Sequence, residues 1–290
     1  MMKTIFRSGS VVLDRRKLAY NPCDDLIFPS VIRTAESVSN PLAAYYMYYA
    51  PHNSPGGVCL AYADRLEGPW TEYPANPVIK NAWPPHYAVQ HVSSPHALYQ
   101  AEEKKLFLFF HGDNDTTRFA SSADGVRFEY RGVSLDSAST GGYDAVFYAR
   151  FFPNTLFRDR TGYLAFLPML GYSDIKSNAF SRFGIFAAWS PDACRWHPVE
   201  KPLLDENSFP NRGFVCSPWL FDLEGRHFLL FHKDSAADAD NGPSTDVYIA
   251  ELDGDLGIIS GPELFCDRKI FSPVNRRFSD PCLVIENDEA

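Results

Sequence analysis

Short blocks of apolar residues, each about as long as a β-strand, recur along the whole chain and are separated by polar, turn-forming clusters. AAYYMYYAPH, KKLFLFFHGD, GYLAFLPML and RHFLLFHKD are such blocks, rich in aromatic side chains. Stretches with the three- and four-residue apolar spacing of an amphipathic helix are scarce, which predicts an all-β protein.

A repeat orders the blocks. Aligned on proline, FPSVI (Phe28–Ile32), SPHAL (Ser94–Leu98), FPNTL (Phe152–Leu156), SPWLF (Ser217–Phe221) and DPCLV (Asp280–Val284) place Pro29, Pro95, Pro153, Pro218 and Pro281 at intervals of 66, 58, 65 and 63 residues. Each of the first four segments opens a similar procession: AAYYMYYAPH, GGVCLAYAD and GPWTEYPANPVI follow the first, and KKLFLFFHGD, TTRFASSADG and VRFEYRGVSL the second. Four short strands per repeat of this period predict a five-bladed β-propeller. Each proline then lies on the strand lining the central channel, where its missing N–H faces no ladder partner. No linker interrupts the series, so residues 1–290 are expected to form one domain. The polar segment Asp234–Asp246 is expected as the loop between the second and third strands of the fourth blade. Only nine residues follow Pro281, too few for three further strands. The fifth blade is therefore expected to be incomplete, with the strand-like Thr4–Asp14 closing it.

Composition narrows the partners. A net charge of -9 supplies no basic face that would release counterions from a polyanion, which argues against nucleic acid or an anionic membrane. No apolar run reaches transmembrane length, and MMKTIFRSGSVVLDRRKLAY lacks a signal-peptide core, so a cytoplasmic location is expected. The six cysteines show no CxxC pair or zinc-ribbon spacing and are expected as reduced, mostly buried thiols.

In an antiparallel blade the first strand begins on the face where the second strand ends. The first strands therefore bring together Asp24 and Asp25, His91, Asp144 with Tyr148 and Arg150, Arg212, and Asp280. Second strands add His52, His111 with Asp113, and His232 with Asp234. HVSSPHALYQAEEKKLFLFFHGDND shows the arrangement in one hairpin, with His91 at one end and His111 and Asp113 at the other.

The proline-led first strands, YYMYYAPH, LEGPWTEYPANPVI and ASSADGVRFE resemble the five-bladed propeller glycosidases. These are the arabinanases and xylosidases of glycoside hydrolase family 43 and the related fructosidases, anhydrogalactosidases and mannoside phosphorylases. The resemblance implies a carbohydrate site in the central funnel, with a carboxylate base, a carboxylic acid and often a third carboxylate that tunes the acid. Family 43 usually places aspartate directly before the first proline; here that residue is Phe28, and Phe152 precedes Pro153. Asp280 alone keeps the Asp-Pro pair, and the nearest other acids are Asp25 and Asp144.

Asp25, Asp144 and Asp280 are accordingly the expected catalytic residues. His91, His111, Asp113, Arg150, Arg212, Tyr148 and His232 are expected to bind substrate. Each has a structural alternative: a turn with Asn21 and Pro22 for Asp25, and ion pairs with Asp144 or Asp280 for the arginines. Glu67 of LEGP is expected to serve a turn. The histidines with a carboxylate could also ligate a divalent metal ion in the central channel. Trp83, Tyr143 and Trp219 either stack on sugar or pack between blades. The expected function is an exo-acting glycoside hydrolase for a short oligosaccharide or glycoside. A glycoside phosphorylase, a metal-assisted sugar lyase and a non-catalytic carbohydrate-binding propeller are the alternatives.

Overall fold

The computed structural model describes residues 11–35, 37–140, 143–174, 179–205, 207–209, 213–238, 242–270 and 278–286. Four antiparallel sheets carry most of the strands, each running outward in chain order. Sheet I is Ile27–Arg33, Tyr45–Ala50, Cys59–Ala63 and Thr71–Glu72, and sheet II is Val92–Gln100, Lys105–Gly112, Thr116–Ser122 and Glu129–Asp136. Sheet III begins with two short pieces, Ala145–Val146 and Arg150–Pro153, both paired with Tyr163–Asp174; Ala179–Ser190, His197–Pro198 and Leu204–Asp205 complete it. Sheet IV is Val215–Leu223, Arg226–Asp238, Gly242–Leu252 and Ile258–Cys266. The first strand of sheet I touches that of sheet II, II touches III, and III touches IV. The sheets are thus set as blades around a shared axis, in a propeller-like arrangement.

Burial explains the apolar runs. A second strand lies between its own neighbours and the faces of adjacent sheets, so every residue of Tyr45–Ala50 is buried, and all of Lys105–Gly112 except its first. A strand covered on both faces needs an unbroken apolar run. The outer strand Glu129–Asp136 instead alternates exposed and half-buried positions over most of its length. Aromatic rings fill the wedges between blades, as where Phe109 of sheet II stacks on Phe151 of sheet III with centroids 3.7 Å apart.

The first strands share a kink. In sheet I, Ile27 pairs with Ala50 and Ser30 with Tyr48, so Phe28 and Pro29 together oppose one residue; Ser94–Pro95 and Ser217–Pro218 do the same in sheets II and IV. Such bulges bend a strand and re-aim its side chains. The residue before the proline is left-handed each time: Phe28 (φ 58°), Ser94 (φ 52°), Ser217 (φ 49°) and, on the last segment, Asp280 (φ 55°). In sheet III the left-handed residue is Tyr148 (φ 53°), in the gap between the two short pieces, and Ala149 follows it. The alignment on Pro153 is therefore corrected. Pro153 lies farther along the same strand, paired with Tyr163, and the residue in the proline position of the bulge is Ala149, four residues earlier. What repeats is the left-handed bulge, which proline accompanies because a bulged residue needs no ladder N–H.

Four sheets, not five, form blades among the described residues. The fifth segment, residues 278–286, lies between sheets IV and I without entering a multi-strand sheet there. Ser217 Oγ donates to Asp280 Oδ1 at 2.5 Å on one side, and the Val31 N–H donates to Cys282 Sγ at 3.4 Å on the other. A cleft of about 550 Å³ opens above it, with Met47, Leu66 and Trp70 facing Leu230, Val247 and Phe265. Of the expected closing strand Thr4–Asp14, residues 4–10 lie outside the described residues, and Val11–Asp14 form no strand. Asp234–Asp246 also departs from expectation. Where a loop between the second and third strands was expected, those strands extend into the segment, to Asp238 and from Gly242, with Asp234 pairing with Thr245 and Ser235 with Ser244. All six cysteines are free; Cys59, Cys216 and Cys266 are buried, and Cys23, Cys194 and Cys282 are half-buried. No helix of the described residues is long and apolar enough to cross a membrane.

The bulge yields a stability prediction. Ser217 is fully buried, left-handed and donates to Asp280. Ser217→Val forces a branched residue into a conformation disfavoured by about 1–2 kcal/mol, and removes a hydrogen bond to a buried carboxylate, adding about 1–3 kcal/mol. Ser217→Gly loses the hydrogen bond but recovers the left-handed cost that serine and, more steeply, valine incur. Urea denaturation should rank the stabilities wild type, Gly, Val; coincident midpoints for Gly and Val would show that the backbone is not under this constraint.

Candidate active site at the channel mouth

The left-handed bulges gather side chains from different blades. The Tyr148 ring lies 4.5 Å from that of Phe28 and 5.3 Å from that of His111, centroid to centroid. Two residues past Tyr148, Arg150 is fully buried, and its Nη1 donates to Ser94 Oγ at 3.2 Å and to the Pro95 carbonyl at 3.1 Å. Its guanidinium also stands 5.9 Å from the centre of the Phe28 ring. Burial draws the Arg150 pKa below its usual value, and the negative charge of Asp280 opposes this. Arg150 therefore lies beneath the surface, among Phe28, Ser94, Tyr148 and Asp280.

Asp25 sits just ahead of the first bulge. Its N–H donates to Asn21 Oδ1 at 3.0 Å, which is the expected turn, and its Oδ1 accepts the Leu26 N–H at 2.9 Å. Its second oxygen accepts the backbone N–H of His52 at 3.2 Å. The His52 ring in turn shares a 2.6 Å hydrogen bond between Nε2 and the Tyr148 hydroxyl. Asp25, His52 and Tyr148 thus form one connected series from sheets I and III.

The hairpin of sheet II closes as the sequence predicts. His91 Nε2 and His111 Nε2 are 3.2 Å apart, and His91 Nδ1 lies 3.6 Å from Asp113 Oδ1. The bonding assigns the tautomers. His111 Nδ1 is buried with no hydrogen-bond partner, a position that suits a lone pair better than an N–H. His111 therefore donates from Nε2, His91 accepts at Nε2, and the His91 Nδ1–H faces Asp113. Burial holds His91 below the ordinary imidazole range, against the pull of Asp113, and holds the deeper His111 well below it, with His91 and His52 adding to the effect.

Asp280 anchors the opposite side. Its carboxylate accepts from Ser217 Oγ and, at 2.9 Å, from Ser279 Oγ, while its N–H donates to His232 Nδ1 at 3.2 Å. Both Asp280 and His232 are buried.

The structure therefore joins Asp25, Tyr148, His91, His111 and Asp113 through direct contacts, and Asp280 with His232 in a second group next to Arg150. Asp144 is exposed, four residues before Tyr148, with its N–H bonded to the Leu170 carbonyl at 2.8 Å. Arg212 lies outside the described residues. Glu67 is an exposed turn residue, as expected. The aromatic candidates pack against protein: Trp83 against Tyr130, Tyr143 against Phe186, and the buried Trp219 between His96 and Phe152. Among the described residues, no group of three or more His, Cys, Asp or Glu side chains is arranged to hold a metal ion. Ser94 and Ser217 escaped the sequence reading. Their position before a repeating proline was the available signal, as it was for Phe28 and Asp280.

The buried imidazoles predict acid sensitivity. His91, His96 and His111 all have pKa values lowered from the ordinary 6.5 by burial, so the unfolded chain binds more protons than the folded one below about pH 6.5. Stability is then complete above that pH and falls as the solution is acidified, by up to about 1.4 kcal/mol per pH unit for each histidine. Denaturant midpoints between pH 7.5 and 5 should fall, and less steeply for His111→Gln. An equal slope in the variant would contradict a neutral, buried His111.

The sequence matches no family model and no curated protein sequence. The fold, however, is shared with solved propeller glycoside hydrolases. An endo-arabinase from Bacteroides thetaiotaomicron superposes with a TM-score of 0.59 at 12% identity, covering 83% of this chain and 81% of that one. A glycosyl hydrolase from Bacteroides ovatus gives 0.57 at 12% identity, with coverages of 83% and 72%. An α-L-arabinofuranosidase from Lactobacillus brevis gives 0.52 at 14% identity, with coverages of 78% and 67%. By fold, the chain's structural neighbours are family 43-like and related propeller glycoside hydrolases.

Proposed function

We propose that the protein is a glycoside hydrolase that removes a terminal sugar from a short oligosaccharide or glycoside. The observation that carries this reading is the connected series of Asp25, His52, Tyr148, His111, His91 and Asp113, drawn from three blades of a glycosidase-like scaffold beside the left-handed residues Phe28 and Tyr148. Non-glycine residues at positive φ are strained, and such strain gathers at functional sites. In this reading segment 278–286 holds the fifth blade position, and Asp280 contributes its carboxylate from there. Half-buried His91, Tyr148 and Asp113 hold the sugar. Buried Arg150, His111 and His232 act through the groups they orient.

Hydrolysis needs a base to activate water and an acid to protonate the departing oxygen. Asp280 and Asp25 are the carboxylates bound into the site, and Asp144 is the third. A carbohydrate-binding propeller without turnover is the second reading, favoured by Phe28 where family 43 places its aspartate.

Reducing-sugar release from a panel of aryl glycosides, with and without phosphate and a chelator, separates hydrolase from phosphorylase and from metal-assisted chemistry. On a cleaved substrate, Asp280→Asn should lower turnover about 10²–10⁴-fold in protein that is still folded at the assay temperature, and Asp25→Asn and Asp144→Asn measure the shares of the other two. Wild-type turnover in all three folded variants would remove the carboxylates from the reaction. Sugar affinity with no turnover in the wild type would leave the binding protein.

A further inference from the structure

We propose that the cleft between sheets IV and I is the aglycone subsite and that it selects glycosides of apolar alcohols, an inference that rests on the hydrolase reading. In a complete blade, further strands would fill this space. Over segment 278–286 it is instead a cleft of about 550 Å³, within the usual range of small-molecule sites. Met47, Leu230 and Val247 are its buried walls, and Leu66, Trp70 and Phe265 are half-buried.

The lining suits hydrocarbon and not a second sugar. Of the described side chains that line the cleft, Asp280 is the one charged group and Ser279 the one hydroxyl. The other polar atoms are engaged within the protein. The Trp70 indole N–H donates to the Leu66 carbonyl at 2.9 Å, the Val31 N–H donates to Cys282 Sγ, and Cys266 Sγ lies 3.9 Å from the Asp267 carbonyl. Sugar hydroxyls laid along these walls would lose water and gain no partners, whereas an alkyl chain gains from leaving water.

Asp280 ties the cleft to the reaction. It lines the cleft, yet its carboxylate accepts from Ser217 in the bulge of sheet IV and from Ser279, and its N–H donates to His232. A glycoside lying across this carboxylate has its scissile oxygen beside Asp280 and its alcohol portion among Met47, Trp70 and Phe265. Hydrolysis breaks the bond from the anomeric carbon to that oxygen, which keeps the electron pair and takes a proton. The hydroxyl of water joins the anomeric carbon, and the free apolar alcohol is left in the cleft.

The experiment uses methyl, butyl and hexyl glycosides of a sugar whose aryl glycoside the wild-type protein cleaves. Their leaving groups are of similar acidity and differ in apolar length. The wild-type kcat/KM should rise from methyl to hexyl, by up to about fourfold for each methylene buried. Leu66→Asp and Phe265→Ala should bring the hexyl-to-methyl ratio towards one. Because both substrates are measured on one preparation, the ratio does not depend on how much of a variant is folded. Equal rates for methyl and hexyl in the wild type, as when another stretch of chain or a second copy covers the cleft, would overturn the assignment and leave the hydrolase reading intact. So would a hexyl preference unchanged in both variants, or a hexyl glycoside left uncleaved. A wild-type protein that cleaves no glycoside of any kind would overturn the hydrolase reading itself, and this assignment with it.

Discussion

A buried guanidinium ties the centre of the fold together. Arg150 carries a full charge into a place with no solvent, where an ion is tolerated only if surrounding groups replace water. The bulges of neighbouring blades supply them for Nη1, while Nε and Nη2 are buried with no hydrogen-bond partner among the described residues. Ser94 Oγ and the Pro95 carbonyl accept from one nitrogen, the face of Phe28 lies nearby, and the Asp280 charge acts from the last segment. A regular strand at Ser94–Pro95 would point its carbonyl along the ladder rather than at Arg150. The left-handed kinks and the buried charge therefore depend on each other.

The contacts around Tyr148 follow from this centre. Because the bulges turn Phe28 and Tyr148 toward one another, His52 comes within reach of the Tyr148 hydroxyl, and His111 is pressed beneath the same ring. The positive charge of Arg150 adds to the effect of burial on His111 and His96, so two imidazoles close to the axis stay uncharged.

The gap between sheets IV and I has a physical consequence. Elsewhere a blade's second strand is covered on both faces, but over segment 278–286 Met47 and Trp70 look across a cleft at Leu230 and Phe265. The segment is held at its inner end by the Ser217 bond to Asp280, and farther out by the Val31 bond to Cys282 and by the Tyr45 hydroxyl, which donates to Glu286. Asp280 is thus placed by polar bonds more than by a sheet of its own.

The all-β class, the unbroken apolar second strands and four of the five left-handed positions were legible in the sequence, because a strand buried on both faces must be apolar and the residue after each of those four is proline. The meeting of His91, His111 and Asp113 was legible for the same local reason: a hairpin returns its end to its beginning. The third bulge was not, since Ala149 stands where the others have proline, and left-handed backbone at Tyr148 leaves no compositional mark. Nor could residue types reveal that His52 reaches Tyr148, that Arg150 is wholly buried while Asp144 is exposed, or that Asp234–Asp246 continues a hairpin. Those outcomes depend on how blades are rotated about the axis and how far each strand extends. Local pattern therefore determined which strands form and which face they bury, and tertiary packing decided which side chains from different blades share a hydrogen bond.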